Sequence, residues 1–229
     1  MNTLLNSSVL AECMEQYYIK NIDMYKPIIN NYTAKVTQRL ILESGIKKED
    51  KIFEVGCGLG RFTLNLAKSG YNLTIMDSNK YYTKINKRFF KPFKNVRIVE
   101  TASGLKNKFD YVIGFNILHH VDIPSLLNEM KLLLKKDGKM VFMEPNPYNI
   151  LYYLHLLTGK SEWKFEKGYL NLTRKRFKKL TKDYRAKIKK FGFIPPPLLN
   201  NNLGLKLDNI LEKFAIPKLF EIIILNKND

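Results

Sequence analysis

Between residues 51 and 143 short apolar runs alternate with amphipathic stretches. Lys51–Val55, Leu73–Met76, Val96–Val99, Tyr111–Phe115 and Lys139–Met143 are each four or five residues long and rich in β-branched and aromatic side chains. That is the signature of buried strands. Arg61–Ser69, Lys80–Phe90 and Pro124–Lys135 carry apolar residues at helical spacing, the last with Leu126, Leu127, Met130, Leu133 and Leu134 on one side. Gly70 closes the first helix, Pro92 stops the second, and Asp137-Gly138 turns the third into its strand. Strands and helices in alternation predict an α/β fold, with a mostly parallel sheet covered by helices on both faces.

The flanks complete that plan. Residues 1–44 read mostly as helix, with Val36, Leu40 and Ile41 as an apolar set, Gly45 as the stop, and Tyr17, Tyr18, Tyr25 and Tyr32 spread along it. After Pro145 the pattern predicts an apolar helix over Asn149–Leu157, irregular polar chain over 158–171, and a helix capped by Thr173 and running to about Lys182. Arg185–Phe191 reads as a strand, the triple proline Pro195–Pro197 as the end of regular structure, Leu203–Phe214 as a helix and Phe220–Leu225 as a last buried strand. Too little surrounds that strand for a core of its own, so it is expected to rejoin the main sheet. The chain is therefore read as one Rossmann-like domain over 1–229 with seven strands. It comprises an N-terminal helical lid (1–44), a core (45–145), an insert after strand five (146–172) and closing elements (173–229).

The chemistry concentrates in Glu54-Val55-Gly56-Cys57-Gly58-Leu59-Gly60-Arg61. A strand feeds a glycine-rich turn that opens a helix, a geometry that brings backbone close to a nucleotide. The glycines read G-x-G-x-G, and Arg61 stands where the dinucleotide fingerprint has its third glycine. No Gly-Lys-Ser/Thr phosphate loop is present in this turn. Glu54 would repel a pyrophosphate and would suit an ammonium group. Asp77 ends the second strand 23 residues after Glu54, where a carboxylate can accept both hydroxyls of a ribose.

These residues, with Phe109–Ile113, Asn116-Ile117-Leu118-His119-His120-Val121 and Lys135-Lys136-Asp137-Gly138-Lys139, resemble the class I S-adenosylmethionine-dependent methyltransferases. The resemblance covers about residues 50–145. It implies S-adenosylmethionine as cofactor, with Gly56, Cys57, Gly58 and Gly60 against its methionine part and Glu54 near its amino group. Asp77 would hold the ribose hydroxyls with Ser78 beside it, and Asn116 would lie near the sulfonium. The family often has an acid after strand three for the adenine amine. Here Ala102 or Ser103 stands in its place, so Ser103 or a backbone amide is the expected contact.

Methyl transfer from a sulfonium is an in-line displacement that needs a base only if the acceptor loses a proton. The chain has three histidines: His119 and His120 after strand four, and His155 on the apolar insert helix. His119 and His155 are the candidate bases. The site after strand four holds Asn116-Ile117-Leu118-His119 and lacks the Asn/Asp-Pro-Pro-aromatic motif of amino-methylating nucleic-acid enzymes. Glu144-Pro145-Asn146-Pro147 followed by an apolar insert instead resembles bacterial methyltransferases acting on metabolites, sugars or lipid-linked intermediates. The expected reaction is O-methylation of a small molecule, with N-methylation next. An RNA methyltransferase and a non-catalytic cofactor-binding scaffold are the alternatives.

Charge adds one further expectation. The net charge is +18, from 39 basic and 21 acidic residues, but the basic residues are 32 Lys and 7 Arg. Specific phosphate and base recognition favours the guanidinium fork, so nucleic acid is the weaker partner. Residues 160–190 carry a net +10, which fits a solvated face, an anionic or lipid-linked acceptor, or peripheral membrane contact. Cys13 and Cys57 form no disulfide framework or four-ligand zinc site, and no metal is expected. The N-terminus lacks a basic start followed by an apolar core, and the apolar run Ile150–Leu157 is far shorter than the ~20 residues a membrane span needs. A cytoplasmic protein is expected.

Overall fold

The computed structural model describes residues 26–157, 166–214 and 218–228, apart from the side chains of residues 155–157. Helix α1 (Asn31–Ser44) is followed by β1 (Lys51–Val55), α2 (Thr63–Lys68), β2 (Asn72–Met76), α3 (Lys80–Phe89), β3 (Val96–Val99) and β4 (Phe109–Phe115). A 3₁₀ turn at Leu118–His120 leads to α4 (Ile123–Lys131), β5 (Leu134–Pro145), α5 (Ile150–Leu157) and a second 3₁₀ segment, Lys167–Leu172. The chain ends with α6 (Arg174–Leu180), β6 (Tyr184–Phe191), α7 (Pro196–Leu199), α8 (Asn202–Leu211) and β7 (Phe220–Lys227).

The seven strands form one sheet in the order β3-β2-β1-β4-β5-β7-β6. β1 to β5 run parallel, and β7 inserts antiparallel between β5 and β6. The last strand thus rejoins the sheet as expected. Its Phe220–Leu225 stretch is buried throughout, because β5 and β6 flank it. Alternate strand residues feed two cores. Ile52, Ile113, Val141 and Ile224 face α1 and α2 on one side. Phe53, Val112, Phe142 and Ile223 face α4, α6 and the Lys167–Leu172 segment on the other. The crossovers place the β1–α2, β2–α3 and β4–α4 turns together at the carboxyl edge, where α/β sheets bind ligands.

Local chemistry explains both the agreements and the departures. Gly45 ends α1 in the left-handed region at φ 76°, its N–H on the Ile41 carbonyl. Pro124 lies in the first turn of α4, and Asp122 caps it by accepting from Ser125 N–H at 3.0 Å. α4 stops at Lys131 rather than Lys135, because Lys108 and Phe109 N–H draw the Leu133 carbonyl into the start of β4. The expected Asp137-Gly138 turn is a bulge inside a longer β5. Phe109 pairs with Leu134, the next pair is Tyr111 with Lys139, and Lys135 Nζ reaches Asp110 at 2.7 Å across the gap. Pro195–Pro197 do not end regular structure. Pro196 and Pro197 form the first turn of α7, where a missing N–H costs nothing. Residues 167–172 are 3₁₀ helix around a fully buried Tyr169, and Thr173 Oγ1 donates back to the Leu170 carbonyl instead of capping α6.

Tyr17, Tyr18, Tyr25 and the first part of the N-terminal lid lie outside the described residues. No helix among the described residues is long and apolar enough to cross a membrane.

Candidate active site

The glycine turn is built from both sides. Gly56 and Cys57 N–H donate to the Met76 carbonyl at 2.9 and 3.2 Å, which binds the turn to the end of β2. Gly56, Gly58 and Gly60 all have positive φ. A Cβ at Gly56 would lie 2.2 Å from Ile117 Cδ1, and one at Gly60 would lie 2.5 Å from the Phe90 ring. At Gly58 a Cβ would meet nothing within 4 Å. Protein therefore backs the first and third glycines, and the middle one opens toward the space a ligand would occupy. Asn86, fully buried on α3, donates to the Gly58 carbonyl at 2.8 Å and to Cys57 Sγ at 3.4 Å, which fixes the turn from behind.

Two carboxylates border this turn. Glu54 is 2% exposed and accepts from Thr63 Oγ1 at 2.8 Å. Burial pushes its pKa up to about 8, against a smaller downward pull from the Thr63 hydroxyl, and Asp77 adds to the rise. Asp77 accepts Gly58 N–H at 2.8 Å through one oxygen and Asn79 N–H at 2.9 Å through the other. Burial raises its pKa too, partly offset by those two N–H donors. The Cys57 thiol is pushed up by burial and then by Glu54 and Asp77, so it is an inert part of the wall. Asp77 thus has a second duty that sequence spacing did not reveal: it ties the glycine turn to the start of α3.

Across the turn stands a third group. Asn116 holds a left-handed conformation at φ 53°, with its N–H on the Met143 carbonyl at 2.8 Å. Burial raises the pKa of the nearby Tyr32 hydroxyl, partly offset by Arg61 and then by the Asn116 side chain. The Arg61 guanidinium lies 4.9 Å from the Tyr32 ring centre and 5.6 Å from that of Phe62. Arg61 Nε is buried with no hydrogen-bond partner among the described residues. Ser78 and Ser103 are exposed, and Ser103 N–H only closes a local turn onto Thr101 Oγ1. The half-buried residue after β3 is Ala102, which, like Met76, Val99 and Ile117, packs against the second core. Apolar side chains therefore lie beside the exposed Ser103 that the sequence offered as an adenine contact.

A second cluster sits at the ends of β4 and β5. Glu144 is fully buried and accepts Ile117 and Leu118 N–H at 2.8 and 2.7 Å through one oxygen. Its other oxygen meets His119 Nδ1 at 2.5 Å. His119 Nε2 lies 3.5 Å from Glu166, whose Oε2 also takes the Tyr152 hydroxyl at 2.6 Å. Tyr152 stacks on Tyr169 at 4.2 Å between ring centres, and the Tyr169 hydroxyl donates to the Asn146 carbonyl. Burial alone would lower the His119 pKa, but Glu144 and then Glu166 outweigh it and the net shift is upward. One carboxylate thus flanks each nitrogen of the imidazole. His119, a candidate base from sequence, is buried at this edge with Glu144 and Glu166 as its neighbours. His155 lies on α5, but its side chain is outside the described residues.

Arg61, Tyr32, Glu144, Glu166, Tyr152 and Tyr169 were not singled out as site residues from sequence. Glu144 had a readable signal: like Glu54, it is a lone carboxylate at the end of an apolar strand. Glu166 and the two tyrosines had none, because folding of the insert brings them to His119.

A seven-stranded sheet with this strand order, a glycine turn after β1 and an acid ending β2 define a Rossmann-like methyltransferase fold. The family described as methyltransferase domain matches residues 28–184, and the chain belongs to it. It is 28% identical over 160 residues to an uncharacterized protein of Methanocaldococcus jannaschii, covering 64% of this chain and 57% of that one. It is 32% identical over 134 residues to demethylmenaquinone methyltransferase of Staphylococcus aureus, covering 55% and 56%. The chain thus spans a little over half the length of these two relatives. Among solved structures, phosphoethanolamine N-methyltransferase 2 of Haemonchus contortus with S-adenosyl-L-methionine aligns at a TM-score of 0.59 and 15% identity, over 85% of this chain and 53% of that one. The domain spanning residues 28–184 is thus a methyltransferase domain by family.

Proposed function

We propose that this chain is an S-adenosylmethionine-dependent enzyme that transfers the cofactor's methyl group to a small-molecule acceptor, with oxygen as the nucleophile. The observation that carries the reading is the roof over the acceptor edge. Tyr152, Tyr169 and Glu166 from the insert close on His119 and Glu144, which covers the ends of β4 and β5 with side chains and favours a compact acceptor over a duplex or a long strand. The demethylmenaquinone and phosphoethanolamine enzymes, by their names, support a small acceptor.

The cofactor residues divide the work. The amides around Gly58 and the two carboxylates of Glu54 and Asp77 face the methionine and ribose. The unpaired Arg61 Nε, beside Tyr32 and Asn116, suits the methionine carboxylate. Bound there, S-adenosylmethionine supplies an activated methyl, and the chain's own task is to align the acceptor and exclude water. Ile150, Leu151 and Leu154 on α5 are exposed, and nearby Tyr148 binds Arg174 N–H at 2.7 Å and lies 4.9 Å under Lys190 Nζ. Apolar and cationic groups side by side support an amphiphilic, anionic acceptor.

The test is calorimetry with S-adenosylmethionine and its demethylated product, followed by methyl transfer to a panel of hydroxylated, amino and lipid-linked acceptors and to RNA. The site of methylation is read by mass spectrometry. Methylated RNA with no small-molecule product would overturn the reading, and cofactor binding without any transfer would favour a scaffold.

A further inference from the structure

The geometry points to a divalent metal site formed by His119, His120 and Glu166 at the acceptor edge. This rests on the small-molecule methyltransferase reading and names what would orient the acceptor oxygen. One ligand atom from each of the three residues lies within 4.8 Å of the others. That spacing can close around a single ion by side-chain rotation, since ligand distances of about 2.0–2.2 Å put donor atoms about 3–4 Å apart. The two imidazole rings are 3.9 Å apart between centres, and Glu166 is 3.5 Å from His119 Nε2.

The outer shell is built as metal sites require. A ligating histidine presents one nitrogen to the ion and directs the other to a carboxylate or carbonyl, which fixes the ring. His119 does this: Nδ1 is held by Glu144 at 2.5 Å, so Nε2 is left to face the cluster. Glu144 cannot drift, because Ile117 and Leu118 N–H hold its other oxygen. Glu166 is steadied by the Tyr152 hydroxyl at 2.6 Å. The backbone is equally confined: a Cβ at Gly168 would lie 1.9 Å from the His119 carbonyl oxygen, so the Lys167–Leu172 segment presses Glu166 toward the histidines.

Two imidazoles and one carboxylate suit zinc and its first-row neighbours. Three protein ligands leave a position for water or an acceptor hydroxyl. A hydroxyl bound there loses its proton more readily. Its oxygen then forms the bond to the methyl carbon while the carbon–sulfur pair returns to sulfur, giving the demethylated cofactor and a proton released to solvent.

The site is tested on the full chain, freed of metal by chelator and titrated with Zn²⁺ and with Co²⁺ against a chromophoric competitor. One ion per chain is expected, with a Co²⁺ spectrum lacking the thiolate charge-transfer band that Cys57 or Cys13 would give. Glu166→Gln and His120→Gln should each weaken binding by tenfold or more. Glu144→Gln, which touches only the outer shell, should weaken it by about 10–100-fold. Circular dichroism and S-adenosylmethionine affinity, read on the same samples, show that each variant is folded. Absence of stoichiometric binding, or unchanged binding in both Glu166→Gln and His120→Gln, overturns the site. Failure of the methyltransferase reading looks different: the cofactor does not bind, whatever the metal does.

Discussion

Two buried carboxylates end two strands of one sheet, and they are employed in opposite ways. Glu54, at the end of β1, has one hydrogen bond among the described residues, from Thr63, and its pKa is raised to about 8. Glu144, near the end of β5, takes two backbone N–H groups and an imidazole nitrogen. The first keeps acceptor capacity in reserve, which suits a cation that arrives with a ligand. The second spends its capacity inside the protein, and what it secures is the position of other groups. A buried acid at a strand end is therefore a site marker only after its partners are counted.

The largest expected effect follows from that difference. Glu144→Ala should lower stability by about 3–5 kcal/mol, because it orphans two amides and a buried imidazole. Glu54→Gln should leave the melting temperature close to wild type and act on cofactor binding instead. If chemical denaturation ranks the two variants the other way, the contrast is wrong. Next comes the glycine turn. Gly60→Ala meets the Phe90 ring in a left-handed backbone and should cost about 2–5 kcal/mol, whereas Gly58→Ala bears only the backbone penalty of about 1–2 kcal/mol. Thermal unfolding separates them.

A smaller effect tests the ligand side. Arg61→Met should weaken S-adenosylmethionine by about 10–100-fold, the worth of a charge-assisted hydrogen bond of ~1.5–3 kcal/mol, with the fold intact. The last is a pH effect. Glu54 is protonated in the free enzyme below about pH 8 and must ionise to pair with the cofactor's ammonium. Affinity should rise with pH up to about 8 and then level, by at most about tenfold per unit. For stability the sign is reversed: the raised folded pKa favours the protonated native state, so that contribution is present at low pH and fades as pH rises toward 8. A flat affinity profile from pH 6 to 9 would remove Glu54 from the ammonium site, and Glu54→Gln should flatten it.

The fold was legible because its elements are short and sharply punctuated. All seven strands lie where apolar runs placed them, to within a few residues, except that β5 starts five residues early, where the Lys135–Gly138 bulge joins it. That bulge and the helical start at Pro196 were misread because both use turn residues inside regular structure. The turn from Glu54 to Gly60 and Asp77 were legible as a cofactor motif because the whole unit is local, strand to turn to helix. The acceptor edge was not. His119 was visible, but its partners come from β5 and the insert, 25 and 47 residues on, and no spacing rule joins them. The basic excess stayed ambiguous in the sequence, because spacing alone does not say which surface it takes. Much of the basic excess between 160 and 190 lies on exposed α6 and on β6, which borders the sheet, rather than inside the acceptor site.

That border strand has a consequence of its own. Among the described residues β6 leaves one row of backbone donors and acceptors without a neighbouring strand, which is an invitation for another chain to extend the sheet. Arg185, Lys187 and Lys189 alternate along it, all exposed. A second copy aligned there would set cation against cation at about 5 Å. The lysines that first suggested an anionic partner thus also act as a stop codon written in charge: they tell the sheet to end at its seventh strand.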